Sequence, residues 1–124
     1  MSATATATSV QELDKQLNDD VLAGKIMDAF EKYYADDVVM QENSEEPRVG
    51  KAANRKAEEE FMSSVEAFNG ASVKASAVNG EVTFSEWEMD ITFKGGKRAK
   101  FSQVAVRHWK NGKIAHERFF YNKG

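Results

Sequence analysis

The stretch EVTFSEWEMDITFKGGKRAKFSQVAVRHWKNGKIAHERFFY, residues 81–121, decides the fold. Its three runs of aromatic, β-branched and alternating residues are separated by Lys94-Gly95-Gly96-Lys97 and Lys110-Asn111-Gly112-Lys113, which predicts a three-stranded antiparallel meander. Alternate side chains of a strand point to opposite faces, so the register of the two hairpins decides which residues meet on the inner face. A two-residue Gly-Gly or Asn-Gly turn competes with a three-residue loop that ends in a left-handed glycine. Three-residue loops give the better chemistry. They set Met89 against Phe101, Ile91 against Ala99 and Trp87 against Gln103 on one face, with Asp90 against Lys100 on the other. The same loop type at the second hairpin sets Ala105 against Glu117, Arg107 against Ala115, Val106 against His116 and His108 against Ile114. The face so assembled is apolar: Trp87, Met89, Ile91, Phe93, Phe101, Ala105, Trp109, Phe119 and Tyr121. Only Gln103, Arg107 and Glu117 interrupt it.

Outward from the meander, the rest of the chain reads as helix, helix, strand, helix, strand. Ser9, with Glu12 three residues on, is a capping box ahead of Val10, Leu13, Leu17 and Val21 at helical spacing. A second helix over 25–34 buries Ile26, Ala29, Phe30 and one of Tyr33 and Tyr34, and Val38 to Glu42 is a short strand. The loop 43–50 holds the single proline, Pro47. Residues 51–68 form the third helix, with Ala53, Ala57, Phe61, Val65 and Phe68 as its stripe, and a strand follows over 71–78. The expected architecture is α+β: a strongly bent antiparallel sheet wrapped in a cone around three N-terminal helices, with room for a cavity at one end. Residues 1–8 read as a flexible tail and 9–124 as one domain.

Composition narrows the function. The chain has 124 residues, 41% of them hydrophobic, and no cysteine, so disulfides and thiolate metal sites are out. No apolar run nears the ~20 residues of a membrane span and the N-terminus has no signal-peptide character, which points to the cytoplasm. Residues 1–93 carry 8 basic and 19 acidic side chains, residues 94–124 carry 9 and 1. Because the basic residues alternate with apolar ones in strands, they read as a solvated sheet face and not as a nucleic-acid surface. His108 and His116 fall on the outer face without a third ligand, so no metal or other cofactor is expected. Apolar residues on that same outer face, Val104, Val106, Ile114 and Phe120, predict a homodimer through the sheet, with His116 and Arg118 near the contact.

At Tyr34-Ala-Asp-Asp-Val-Val-Met-Gln-Glu42, Glu46-Pro-Arg-Val-Gly-Lys51 and Trp109-Lys-Asn-Gly-Lys-Ile-Ala-His-Glu-Arg-Phe-Phe-Tyr121, the chain resembles the nuclear transport factor 2-like superfamily and, within it, the SnoaL-like group. The resemblance implies a cone-shaped fold with a pocket, in a superfamily that holds isomerases, cyclases, hydrolases, dehydratases and members without catalytic role. Ketosteroid isomerases in it pair an Asp base with an oxyanion hole of Tyr and protonated Asp. Glu42 matches the base position, whereas Ala105 and Leu17 stand where the two oxyanion donors would be, and Glu117 matches a pocket acid of cyclase-like relatives.

The candidate catalytic residues are therefore Glu117, Arg107 and Glu42. Arg107 would keep Glu117 ionised as a general base or orient a ligand, the alternative being a structural ion pair. Glu42 is either a base or a solvated carboxylate at the head of an acidic loop. Candidate binding residues for a small apolar, oxygen-bearing ligand are Tyr34, Trp87, Met89, Phe101, Gln103, Trp109, Phe119 and Tyr121. The chemistry would be cofactor-independent acid–base catalysis, and the alternative function is a non-catalytic binding or dimerisation domain.

Overall fold

In a computed structural model of the chain, which describes residues 9–122, the two hairpins of the meander close differently, and the difference builds the site. Strand β4 (Val82–Phe93) meets β5 (Arg98–Lys110) in the expected register, Met89 opposite Phe101 and Asp90 opposite Lys100. Here Phe93 donates its N–H to the Lys97 carbonyl across a three-residue loop that ends on left-handed Gly96. The second hairpin, from β5 to β6 (Lys113–Tyr121), departs from expectation: Lys110 faces Lys113 around a two-residue turn. Asn111 and Gly112 both take positive φ, 54° and 78°, as the tight mirror-image turn requires. A bulge then compensates. Trp109 pairs with Ile114 but His108 pairs with His116, so Ala115 is the extra residue.

Two corrections follow from that turn and bulge. Arg107 lies directly opposite Glu117, not diagonal to it, and Gln103 and Ala105 face Tyr121 and Phe119. Ile114, expected on the outer face, is set opposite Trp109 by the two-residue turn and is completely buried in the core.

The remaining elements are helices α1 (Val10–Leu22) and α2 (Ile26–Tyr33), strands β1 (Tyr34–Glu42) and β2 (Arg48–Val49), helix α3 (Lys51–Ser64) and strand β3 (Val65–Asn79). The sheet is six-stranded and curved, in the order β2-β1-β6-β5-β4-β3. It is mixed, not purely antiparallel, because β1 runs parallel to β6, with Met40 beside Glu117 and Glu42 beside Phe119. The chain reaches that parallel position by way of α3 and the meander, the long crossover that parallel pairing demands.

The capping of α1 follows the sequence: the Ser9 hydroxyl accepts the Glu12 N–H at 3.1 Å. Leu17 of α1, Ala29, Phe30 and Tyr33 of α2, and Val38, Met40, Trp109 and Ile114 of the sheet make the main core. Helix α3 ends four residues early, at Ser64, and Val65 and Phe68 belong to β3. Its expected apolar stripe is not buried; the buried residue is Asn54, whose amide donates to the Val38, Arg48 and Gly50 carbonyls and ties α3 to the β1–β2 corner. Register shifts at three points along β3 bend this edge strand, which stays largely exposed. The basic residues of the meander partly answer acidic neighbours, as in Arg98 with Asp90 at 2.6 Å. That contact draws the Asp90 carboxyl down to about 2. The tail over 1–8 lies outside the described residues. No described helix is long and apolar enough to cross a membrane.

Candidate functional site

Opposite positions on β5 and β6 bring Arg107 and Glu117 together on the inner face, where both are buried, at 4% and 0% exposure. Arg107 Nε donates to Glu117 Oε2 at 2.7 Å, and the Tyr34 hydroxyl donates to Glu117 Oε1 at 2.6 Å. Arg107 Nη1 donates to Asp14 Oδ1 at 2.9 Å and to Asn18 Oδ1 at 2.7 Å, both on α1. Thr83 donates to the same Asp14 oxygen, and the Trp109 indole donates to Thr83. One cation thus stands between two carboxylates, within a network that joins α1, β1, β4, β5 and β6.

Such a network is costly to bury unless every charge is hydrogen-bonded, and here it nearly is. Among the described residues no fully buried side-chain nitrogen or oxygen lacks a partner. Among the described residues Arg107 Nη2 has no hydrogen-bond partner, and so it is not sealed away from solvent. Burial works against the Arg107 charge, but Glu117, Tyr34 and Asp14 more than offset it and hold its pKa above the ordinary guanidinium value. Burial and the charge of Glu117 keep the Tyr34 phenol well above its ordinary range, so it acts as a proton donor in its hydrogen bond and not as a phenolate.

Glu42 sits at the far end of β1 in a different setting. It pairs with Arg48 at 3.0 Å and accepts the Tyr121 hydroxyl, while Arg48 also donates to Asn54 at 3.2 Å. Burial and Glu42 raise the Tyr121 pKa.

The charges of both groups act on a residue that sequence reasoning passed over. Glu58 of α3 is half-buried, and its carboxyl is pushed up to about 7, first by burial and then by the charges of Glu117 and Glu42, with Arg48 opposing. A polar residue within an Ala- and Glu-rich helix reads as solvated. Its one sequence signal is the i, i+4 spacing from Asn54, which puts it on the buried face of α3.

The expected apolar liners divide. Trp87 and Trp109 are each 2% exposed, with their indole N–H groups bonded to Ser85 and Thr83, and so belong to the core. Met89, Phe101, Gln103, Phe119 and Tyr121 are half-buried, and Phe101 packs tilted against Tyr121 at 6.3 Å. Among the described residues the half-buried Gln103 amide has no hydrogen-bond partner. Met89 and Phe101 border a shallow cleft of about 450 Å³. A second cleft, of about 540 Å³, runs between α1 and β3 with Asp14, Asn18 and Thr83 in its lining. His108 and His116 pack edge to face at 5.5 Å outside the site, and no cluster of three metal-ligating side chains exists among the described residues.

The model of the SnoaL-like domain matches residues 8–121. The chain belongs to the SnoaL-like domain family. A candidate SnoaL-like polyketide cyclase from Mesorhizobium loti is 31% identical; the alignment covers 92% of this chain and 100% of that one, with a TM-score of 0.80. A candidate polyketide cyclase from Pseudomonas putida is 22% identical over 94% of each chain, TM-score 0.77. AclR, a candidate hydroxylase from Streptomyces galilaeus, is 13% identical over 91% of this chain and 88% of its own, TM-score 0.75. At those last two identities the likeness is one of fold. No functionally curated protein matches the chain. The SnoaL-like assignment accounts for the three helices and curved sheet; activity has to be argued from the side chains.

Proposed function

We propose that this SnoaL-like domain binds a small apolar molecule carrying a carbonyl and moves a proton at the carbon beside it, without a cofactor. The observation that carries the reading is Glu58, a carboxyl with a pKa of about 7 that lies within reach of the charges of Glu117 and Glu42. A general base works best when its pKa lies near the working pH. Glu117 already accepts from Arg107 and Tyr34 with its two oxygens, and Glu42 is engaged by Arg48 and Tyr121. We therefore assign the base to Glu58 and a positioning part to Glu117, which holds the guanidinium in place. Glu58 takes the proton from the α-carbon; the electron pair moves onto the carbonyl oxygen, which accepts a hydrogen bond from Arg107 Nη2 or the Gln103 amide. Return of the proton to a different carbon of the enolate completes an isomerisation; alternatively the enolate carbon attacks a second carbonyl carbon of the same molecule, whose oxygen takes the proton back, and a ring closes. Met89, Phe101, Phe119 and Tyr121 supply the apolar contact.

The test uses 2-tetralone, an apolar ketone with exchangeable α-hydrogens, in buffered D₂O followed by proton NMR. Wild-type protein accelerates deuterium uptake with a rate that climbs through about pH 7, and Glu58→Gln removes roughly 10²-fold of that acceleration. Uptake no faster than in buffer, or equal in the variant, defeats the acid–base reading. The complete hydrogen bonding of Glu117 favours one second reading, a binding domain whose polar core is structural; it predicts ligand affinity with no exchange. We further propose that exposed Val104 and Phe120, at 36% and 42%, mark the outer face as a homodimer contact. Light scattering on wild type and on Phe120→Glu decides this, the variant being expected to run as a monomer.

A further inference from the structure

The cleft between α1 and β3 is separate from the Glu58 side of the Arg107–Glu117 pair and has a composition of its own. Its volume, about 540 Å³, is in the range of small-molecule sites. One wall is apolar and small, with Val73, Ala77 and Val78 of β3, and the opposite wall is the polar face of α1. Two side chains on that face, Asp14 and Asn18, are only 4% and 6% exposed, yet each has one polar atom unused. Arg107 demands an acceptor, which fixes the Asn18 amide with Oδ1 inward; its Nδ2 then has no partner among the described residues. Thr83 and Arg107 both donate to Asp14 Oδ1, which leaves Oδ2 without a partner among the described residues. Since no fully buried polar atom among the described residues is unsatisfied, these two reach accessible space.

We infer that this cleft binds a neutral molecule through a carboxamide group, the amide N–H donating to Asp14 Oδ2 and the carbonyl accepting from Asn18 Nδ2, with the apolar body against Val73 and Ala77. The two atoms belong to residues four apart on one helix face, so a donor and an acceptor stand side by side. A carboxylate ligand meets Asp14 with like charge, and the nearby Lys15 is already paired with Asp19 at 2.9 Å. An ammonium ligand satisfies Asp14 but has nothing for Asn18 to donate to. An amide satisfies both, and leaving either group unmatched in a nearly buried setting is what discriminates.

Titration of ¹⁵N-labelled protein with benzamide, benzoate and benzylammonium tests this by amide and side-chain chemical shifts. Benzamide moves the Asn18 side-chain NH₂ and the Thr83 and Ala77 amides, and binds about tenfold or more tighter than either charged analogue. Ser76→Phe, an exposed change on the β3 wall, fills the cleft without touching the polar network and abolishes the benzamide shifts, while the dispersion of the spectrum shows the fold intact. Equal or tighter binding of benzoate or benzylammonium overturns the inference, as do benzamide shifts at Asn18, Thr83 and Ala77 that persist in Ser76→Phe, or benzamide shifts that appear only elsewhere. Glu58→Gln binds benzamide as wild type does, so failure here and failure of the acid–base reading are told apart.

Discussion

Replacing Glu58 by Gln tests the electrostatics of the site without any knowledge of the ligand. On folding, the Glu58 carboxyl rises from its ordinary 4.5 to about 7 because burial and the charges of Glu117 and Glu42 disfavour the anion. The folded state therefore binds the proton more tightly than the unfolded state between those two values, and stability falls as pH rises through that window. Below it the penalty is absent; above it the penalty is complete. Each pH unit is worth about 1.4 kcal/mol, so at pH 8 ionised Glu58 destabilises the fold by up to ~3 kcal/mol, less whatever water at the half-buried side chain screens. Glutamine keeps the shape and cannot ionise. Urea unfolding followed by tryptophan fluorescence suits the assay, since buried Trp87 and Trp109 report the core. The stability of Glu58→Gln relative to wild type should grow by about 2–3 kcal/mol between pH 5 and pH 8. A difference between the two proteins that stays constant over that range would refute the burial and charge argument, and with it the choice of Glu58 as base.

Arg107→Met leaves Glu117 and Asp14 without their cation and should cost about 3–5 kcal/mol in urea unfolding, whereas Arg107→Met combined with Glu117→Leu should recover part of it. Asn54→Ala removes an amide that donates to three backbone carbonyls at the corner of α3, two of which keep a backbone N–H donor, and should lose about 1–2 kcal/mol, read as a lowered Tm. Gly112→Ala forces a Cβ into a residue at φ 78° and should cost about 1 kcal/mol in the same measurement, with nothing within 4 Å to add a steric term. Asp90→Asn should leave stability less dependent on pH on the acid side, since the contribution of the lowered Asp90 carboxyl is present above its ordinary 3.8 and lost as pH falls through about 2.

The order of helices and strands, the first hairpin, the capped first helix and the inward aim of Arg107 and Glu117 were legible because each rests on local chemistry: alternation, loop length, a cap, a helical stripe. The second hairpin was misjudged through one local choice. Asn111-Gly112 favours a two-residue turn, and the bulge that restores the faces has no mark in Lys113-Ile-Ala-His116. Helix α3 was read too long because Ala53, Ala57 and Phe61 keep helical spacing toward Val65 and Phe68, yet pairing of Val65 with Phe93 wins those residues for the sheet. Glu58 was missed since a carboxylate on a charged helix looks solvated until the neighbours that bury it are known.

By itself the sequence determined the α+β class, the apolar side of the meander, the absence of thiol chemistry and the placing of Arg107 and Glu117 on the same face, all properties that depend on residues near one another in the chain or on strand parity. Tertiary structure alone decided the parallel seat of β1 beside β6, the reach of Tyr34, Asp14 and Asn18 to the Arg107–Glu117 pair, and the neutral pKa of Glu58. Those follow from distances between residues up to 93 positions apart, and a carboxyl's protonation depends on the charges and the solvent around it in space, which no periodicity in the chain records.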